Sequence, residues 1–255
     1  MKISKSTLTF SLLFLFFSSC QKPFNDPNPA PQNPSLNLLP KTYTEDYTSD
    51  VSGHVVISFN LSYDADNRLV SMVSTTSAGD KFLYGHTPTT LTTDIYNSNQ
   101  LSIHYEAYLN ASSYIDSTFQ YNDTQDSSTE KYVYNASNQL VQINEYRYSG
   151  ALGILPDGII KYSYDAVGNL AKETEEFNSV VYQTLTYDYT SLLNTLAISF
   201  DYLPKNKYLI KTTHYDLNGT TGTLNHTYTF DSSNRLTSEK IVADTGEISI
   251  KTYTY

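Results

Sequence analysis

From residue 53 onward the chain alternates. Val55, Ile57, Phe59, Leu61 and Tyr63 occupy one set of positions, and Val56, Ser58, Asn60 and Ser62 the other. A period of two puts successive side chains on opposite faces of a strand, and no helix has it. The same alternation runs through Ile160, Tyr162 and Tyr164 and through Leu224, His226, Tyr228 and Phe230. Tyr-x-Tyr pairs at 132/134, 146/148, 162/164, 187/189 and 253/255 are predicted to set two rings on one face of each strand, where neighbouring strands stack them. The pattern predicts an all-β domain.

Between the alternating runs one phrase recurs: an aromatic, Asp or Asn, two variable residues, Asn or Gly, any residue, then Leu. Its copies start at Tyr63, Tyr134, Tyr164 and Phe230, with a version one residue short at Tyr96 to Leu101. The side chain of Asp64, Asn135, Asp165 or Asp231 can bond to backbone two residues on. Asn67, Asn138, Gly168 and Asn234 tolerate the left-handed conformation that a tight reversal needs. Leu69, Leu140, Leu170 and Leu236 then restart the next strand. The phrase predicts a hairpin each time, and its recurrence predicts an antiparallel meander of repeated hairpins. A lone flat sheet would leave an apolar face wet and two edges unpaired, so the sheet is expected to curl, half-open or closed into a barrel-like form.

The segment Tyr164-Asp165-Ala166-Val167-Gly168-Asn169-Leu170 resembles the YD repeat, or Rhs repeat, and Phe230 to Leu236 is similar to the variant with Asn in place of Gly. Residues 187–193 are similar to a degenerate copy. In that family successive hairpins form a long antiparallel sheet, which in large members closes into a shell round a cargo. Those members' length, Rhs core motif and toxin tail are not expected of this protein. It looks more like the short YD-repeat lipoproteins of the Bacteroidetes.

The first residues change the expected location. Lys2 and Lys5 precede an apolar run within Leu8 to Phe17 that is too short to span a bilayer. Ser18-Ser19-Cys20 closes it, resembling the box at which a lipoprotein signal is cut and the cysteine lipidated. Cys20 is the single cysteine, so no intramolecular disulfide competes for it. The expected layout is a signal peptide at 1–19, lipidated Cys20 with a Pro/Asn-rich tether to residue 41, and the β domain from 42 to 255. Pro23, Pro27, Pro29, Pro31, Pro34 and Pro40 keep such a tether extended, with a reach of up to roughly 60 Å. These features place the protein at the outer membrane, on its periplasmic face or at the cell surface.

Charge narrows the partners. The net charge of −10 becomes −12 once Lys2 and Lys5 leave with the signal. Lys and Arg are not clustered as phosphate binding requires, so no nucleic-acid partner is expected. The chain holds 24 tyrosines and no tryptophan. Tyrosine suits strands with one wet face, and also suits a surface that stacks sugars or meets a protein ligand.

Chemistry is sparse. His54, His86, His104, His214 and His226 show no metal-binding spacing, though His214 and His226 are placed to face one another across a hairpin. Asp64 to Asn67 echoes the start of a calcium loop without its Gly or closing Glu, and is read as a turn. Glu173, Glu175 and Glu176 are expected to form a solvated strand edge. Asp116-Ser117-Thr118 fits a short O-glycosylation pattern. No nucleophile elbow or phosphate loop is present. The expectation is a non-catalytic binding or envelope-structural module without metal or cofactor. The alternatives are a glycan-active hydrolase with an acid pair inside the curl, and an Rhs-associated immunity or adhesion component.

Overall fold

Tyrosine, threonine, valine and isoleucine fill the alternating runs, and each run becomes a strand because their bulk at Cβ fits a pleated, half-buried surface. The computed structural model describes residues 39–49, 53–122, 127–149, 153–194 and 206–255. Residues 1–38, on which the expected signal peptide, Cys20 and most of the expected tether fall, lie outside them. The strands are β1 (Thr42–Ser49), β2 (Gly53–Tyr63), β3 (Leu69–Ser74), β4 (Lys81–His86), β5 (Thr90–Asn97), β6 (Gln100–Leu109), β7 (Ile115–Asn122) and β8 (Ser127–Tyr134). They continue as β9 (Leu140–Ser149), β10 (Gly153–Tyr164), β11 (Leu170–Phe177), β12 (Val180–Leu193), β13 (Tyr208–Leu217), β14 (Thr220–Phe230), β15 (Leu236–Ala243) and β16 (Ile248–Thr254).

Each strand pairs antiparallel with the next, and β1 pairs with β16 through Thr42↔Thr254 to Thr48↔Ile248, closing the barrel. Closure removes the two edges that an open meander would expose. It also corrects the expectation for Glu173, Glu175 and Glu176. Strand β11 has partners on both sides, and Glu173 and Glu175 lie on the buried face opposite Tyr162 and Ile160.

Curvature decides which face is dry. Side chains on the concave face converge, whereas those on the convex face diverge into the surroundings. Tyr43, Phe59, Leu61, Met72, Tyr84 and Tyr253 pack together across β16 and β1–β4, and Tyr105, Ala107, Tyr132 and Ile143 pack across β6–β9. The opposite face of the same strands carries Thr42, Thr44, Asp46 and Thr48 on β1 and His54, Val56, Ser58, Asn60 and Ser62 on β2. The Tyr-x-Tyr pairs divide accordingly: 132/134, 162/164, 187/189 and 253/255 face inward, and 146/148 faces outward, where Tyr148 is exposed.

The four full copies of the phrase fall at one end of the barrel. In each, the leading Asp or Asn donates its own N–H to the carbonyl four residues on and accepts two N–H bonds on Oδ1. At Asp165 these come from Val167 and Asn169, at 2.9 and 2.8 Å. Asn67, Asn138 and Asn234 stand at φ of 62°, 60° and 60°, and Gly168 at 92°. Beside each turn the register slips by one residue, a bulge that brings the aromatic opposite the Leu on the inner face. Two assignments from sequence change. Residues 187–193 lie within β12 rather than at a turn, and Tyr96 to Leu101 forms a two-residue reversal at Ser98 and Asn99 at the opposite end. A copy missed in sequence sits at Asn110, whose Oδ1 accepts the N–H groups of Ser112 and Tyr114 while Ser113 takes the left-handed position. Leu109 in the aromatic's place and Ile115 in the leucine's place disguised it.

Candidate functional site

The phrase residues assemble one rim. Leu69, Leu140, Leu170 and Leu236 are 4%, 0%, 5% and 3% exposed, so they form a buried apolar course just inside that end. The aromatics lock it. Tyr164 donates its hydroxyl to the Leu140 carbonyl at 2.8 Å, Tyr189 to Leu170 at 2.6 Å, Tyr228 to Ile210 at 2.7 Å and Tyr255 to Leu236 at 2.9 Å. Tyr63 reaches back to Pro40, and His86 Nε2 contacts the Leu69 carbonyl in the same manner. Each link ties the end of one strand to the start of the strand before it. A net value of about 0.5–1.5 kcal/mol per bond is ordinary for such contacts. Asn169 adds a longer stitch: it is 1% exposed, its Oδ1 accepts the Tyr208 N–H, and the neighbouring Leu170 N–H donates to Asn206 Oδ1. The chain enters β1 and leaves β16 at this same rim.

Deeper on the inner wall lies a buried polar network. His226 accepts or donates at both nitrogens, with Nε2 3.1 Å from Thr213 Oγ1 and Nδ1 2.9 Å from Glu239 Oε1. The Tyr228 hydroxyl, whose one proton is shared between the Ile210 carbonyl and this acid, lies 3.1 Å from the same Glu239 oxygen, and Lys251 Nζ lies 3.9 Å from the other. Burial pushes the Glu239 carboxyl up, but the Lys251 charge and the His226 and Tyr228 bonds outweigh it and hold the acid at about 2. Nearby Glu45 accepts from Tyr43 and Ser249.

Hydroxyl, imidazole and carboxylate stand here in the order of a hydrolytic relay. Two features weigh against that use. Thr213 is 6% exposed and the His226 side chain 7%, so a substrate carbonyl has no approach to the hydroxyl. Thr213 also sits mid-ladder between Tyr187 and Leu224, where backbone N–H groups are committed to the sheet and none is free to stabilise an oxyanion. The network satisfies buried polar groups that would otherwise be costly.

His214 and His226 do not meet. His226 faces inward, while His214 faces outward and contacts Asp188 at 2.9 Å. His54 with Asp46 and His104 with Asp94 make similar outward pairs. No group of three or more metal-binding side chains gathers among the described residues. Asp64 uses its carboxylate on the N–H groups of Asp66 and Arg68 and on the Arg68 side chain, as a turn rather than a calcium loop. A shallow groove of about 390 Å³ lies along β12–β14 and is lined largely by Thr184, Thr186, Thr221, Thr223, His214 and Asp216.

No family model matches the sequence, and no curated protein matches it. Solved structures do. A porin-like protein from Bacteroides uniformis superposes with a TM-score of 0.62 at 15% identity, covering 84% of this chain and 96% of that one. A porin-like protein from Bacteroides vulgatus gives a TM-score of 0.53, also at 15% identity, covering 85% and 98%. These neighbours overturn the identification as a YD-repeat, Rhs-like lipoprotein of the Bacteroidetes. The phrase that carried that identification is one turn chemistry, repeated round one rim because every second reversal of a meander barrel has the same local problem to solve. The chain has the closed antiparallel barrel fold of these porin-like proteins.

Proposed function

We propose that this protein is a non-catalytic barrel of the outer-membrane region of the cell envelope, with water rather than lipid against its outer wall. The carrying observation is the chemistry of the outward face. A bilayer-spanning barrel needs an apolar band roughly 25 Å tall facing the lipid. Here the outward positions of β1 and β2 are chiefly Thr, Ser, Asn, Asp and His, and those of β12 to β14 include Thr184, Thr186, Asp188, His214, Thr221 and Thr223. The buried aromatic packing lies on the inner wall, while the outward apolar side chains Val56, Val73, Tyr108, Phe119, Tyr121, Val133 and Tyr148 are interspersed with polar neighbours such as Glu106, Ser117, Thr129, Lys131 and Asn144. Attachment would then come from the residues before the barrel, with Cys20 as the lipid-bearing group, and mass spectrometry of the mature protein tests that point. Exposed Phe119, Tyr121 and Tyr148 on the outer wall are suited to a glycan or protein ligand.

A second reading, a membrane-spanning pore, draws on the fold shared with porin-like proteins. One experiment separates the two: the chain from residue 21 is purified without detergent and presented to planar bilayers. The expected result is a folded, monodisperse protein in aqueous buffer that opens no conductance. Folding only in detergent, together with stepwise conductance, would establish the pore instead.

A further inference from the structure

The inner wall of β8 to β11 differs from the rest. Glu130 of β8 stands directly opposite Glu145 of β9. Glu145 in turn stands opposite Gly158 of β10, and Glu175 of β11 opposite Ile160 of the same strand. Like charges placed opposite each other on neighbouring strands repel. The glycine leaves room for the acid: a Cβ at Gly158 would clash with Glu145 Oε2 where it now stands, so the carboxyl lies in the notch that the missing side chain leaves. We infer that the row Glu130, Glu145 and Glu175, laid across the notch at Gly158, makes this part of the wall a pH-responsive element that holds together in mildly acidic surroundings and loosens in alkaline ones.

The surrounding groups leave the row uncompensated. On β8, Glu130 is already bonded by Thr118 and Tyr132, and Lys131 points outward. On β9 itself, Arg147 is engaged by Asp157 at 3.1 Å. On β10, Asp157 adds a further negative charge, and Lys161 is held outside by Glu176 at 2.8 Å. On β11, Glu173 and Glu175 are both acids. Among the described residues no hydrogen bond reaches the Glu145 carboxyl. Burial first, and then Glu175, Glu130 and Asp157, raise it to about 7, and burial also raises Glu175. A carboxyl that titrates higher in the folded state than in the unfolded one stabilises the fold below its unfolded value. That contribution is lost as the pH rises through about 7.

The test is urea unfolding of the full mature chain and of Glu145→Gln from pH 5.5 to 8.5. In the wild type the folded-to-unfolded ratio is expected to fall by about 30-fold over that range on account of this one group. Histidine contributions are common to both proteins and cancel in the comparison. The variant should lose most of the slope and be the more stable protein at pH 8.5; an unchanged slope would overturn the inference. Should the variant not fold, carboxyl-carbon NMR of the wild type decides. A glutamate signal moving between pH 6 and 8 supports the element, and the absence of any such signal refutes it.

Discussion

Gly168 offers the cleanest test of how the rim is built. Its φ is 92°, and a Cβ placed there meets no atom within 4 Å. Any penalty for a side chain is therefore backbone strain alone, with no contribution from crowding. An L-residue held in the left-handed region costs about 1–2 kcal/mol, and a β-branched residue sits at the upper end. Gly168→Val is expected to destabilise by that amount. Gly168→Asn should stay within about 0.5 kcal/mol, because Asn67, Asn138 and Asn234 hold the same place in the other copies at φ near 60°. Both variants keep the Gly168 N–H bond to the Asp165 carbonyl, 3.1 Å long. Thermal unfolding followed by circular dichroism would read the difference at about 2–4 °C per kcal/mol for a domain of this size. Equal midpoints for Val and Asn, or a larger loss for Asn, would refute the account of the turn.

Leu140→Ala removes a side chain that is 0% exposed in the rim course and should cost about 2–4 kcal/mol, measurable by urea titration. The turn acids make a pH prediction of the opposite sign to Glu145. Backbone N–H bonds, foremost from Arg68 to Asp64 and from Arg235 to Asp231, hold these carboxyls below the usual range, and in Asp165 the hydrogen bonds outweigh burial. Their stabilisation is present above the unfolded value of about 4 and is lost as the pH falls through the lower folded values. Asp231→Asn should flatten the acid limb of a stability-against-pH curve.

What could be read from the chain was what neighbouring residues decide among themselves. Alternation from Val55 to Tyr63 sets a strand whatever lies beside it, and the Asp165 carboxyl closes its turn within four residues. The all-β meander and its turns follow from such local terms. Locality also misled. A turn that recurs because its chemistry is self-sufficient looks like a family mark, and the same chemistry at Asn110 went unseen once its flanking residues changed.

Everything non-local waited for the tertiary structure. Whether the meander closed depended on β1 meeting β16, whose partners Tyr43 and Tyr253 stand 210 positions apart. Closure in turn decided which face was dry, which put Glu173 and Glu175 inside instead of at an edge and sent His214 and His226 to opposite sides of the wall. The Thr213, His226 and Glu239 network joins three strands at 13-residue separations, with no spacing that distinguishes it from background. Side-chain meetings of this kind are fixed by register and curvature. Both are properties of the assembled sheet, in which a one-residue slip turns every inward group outward.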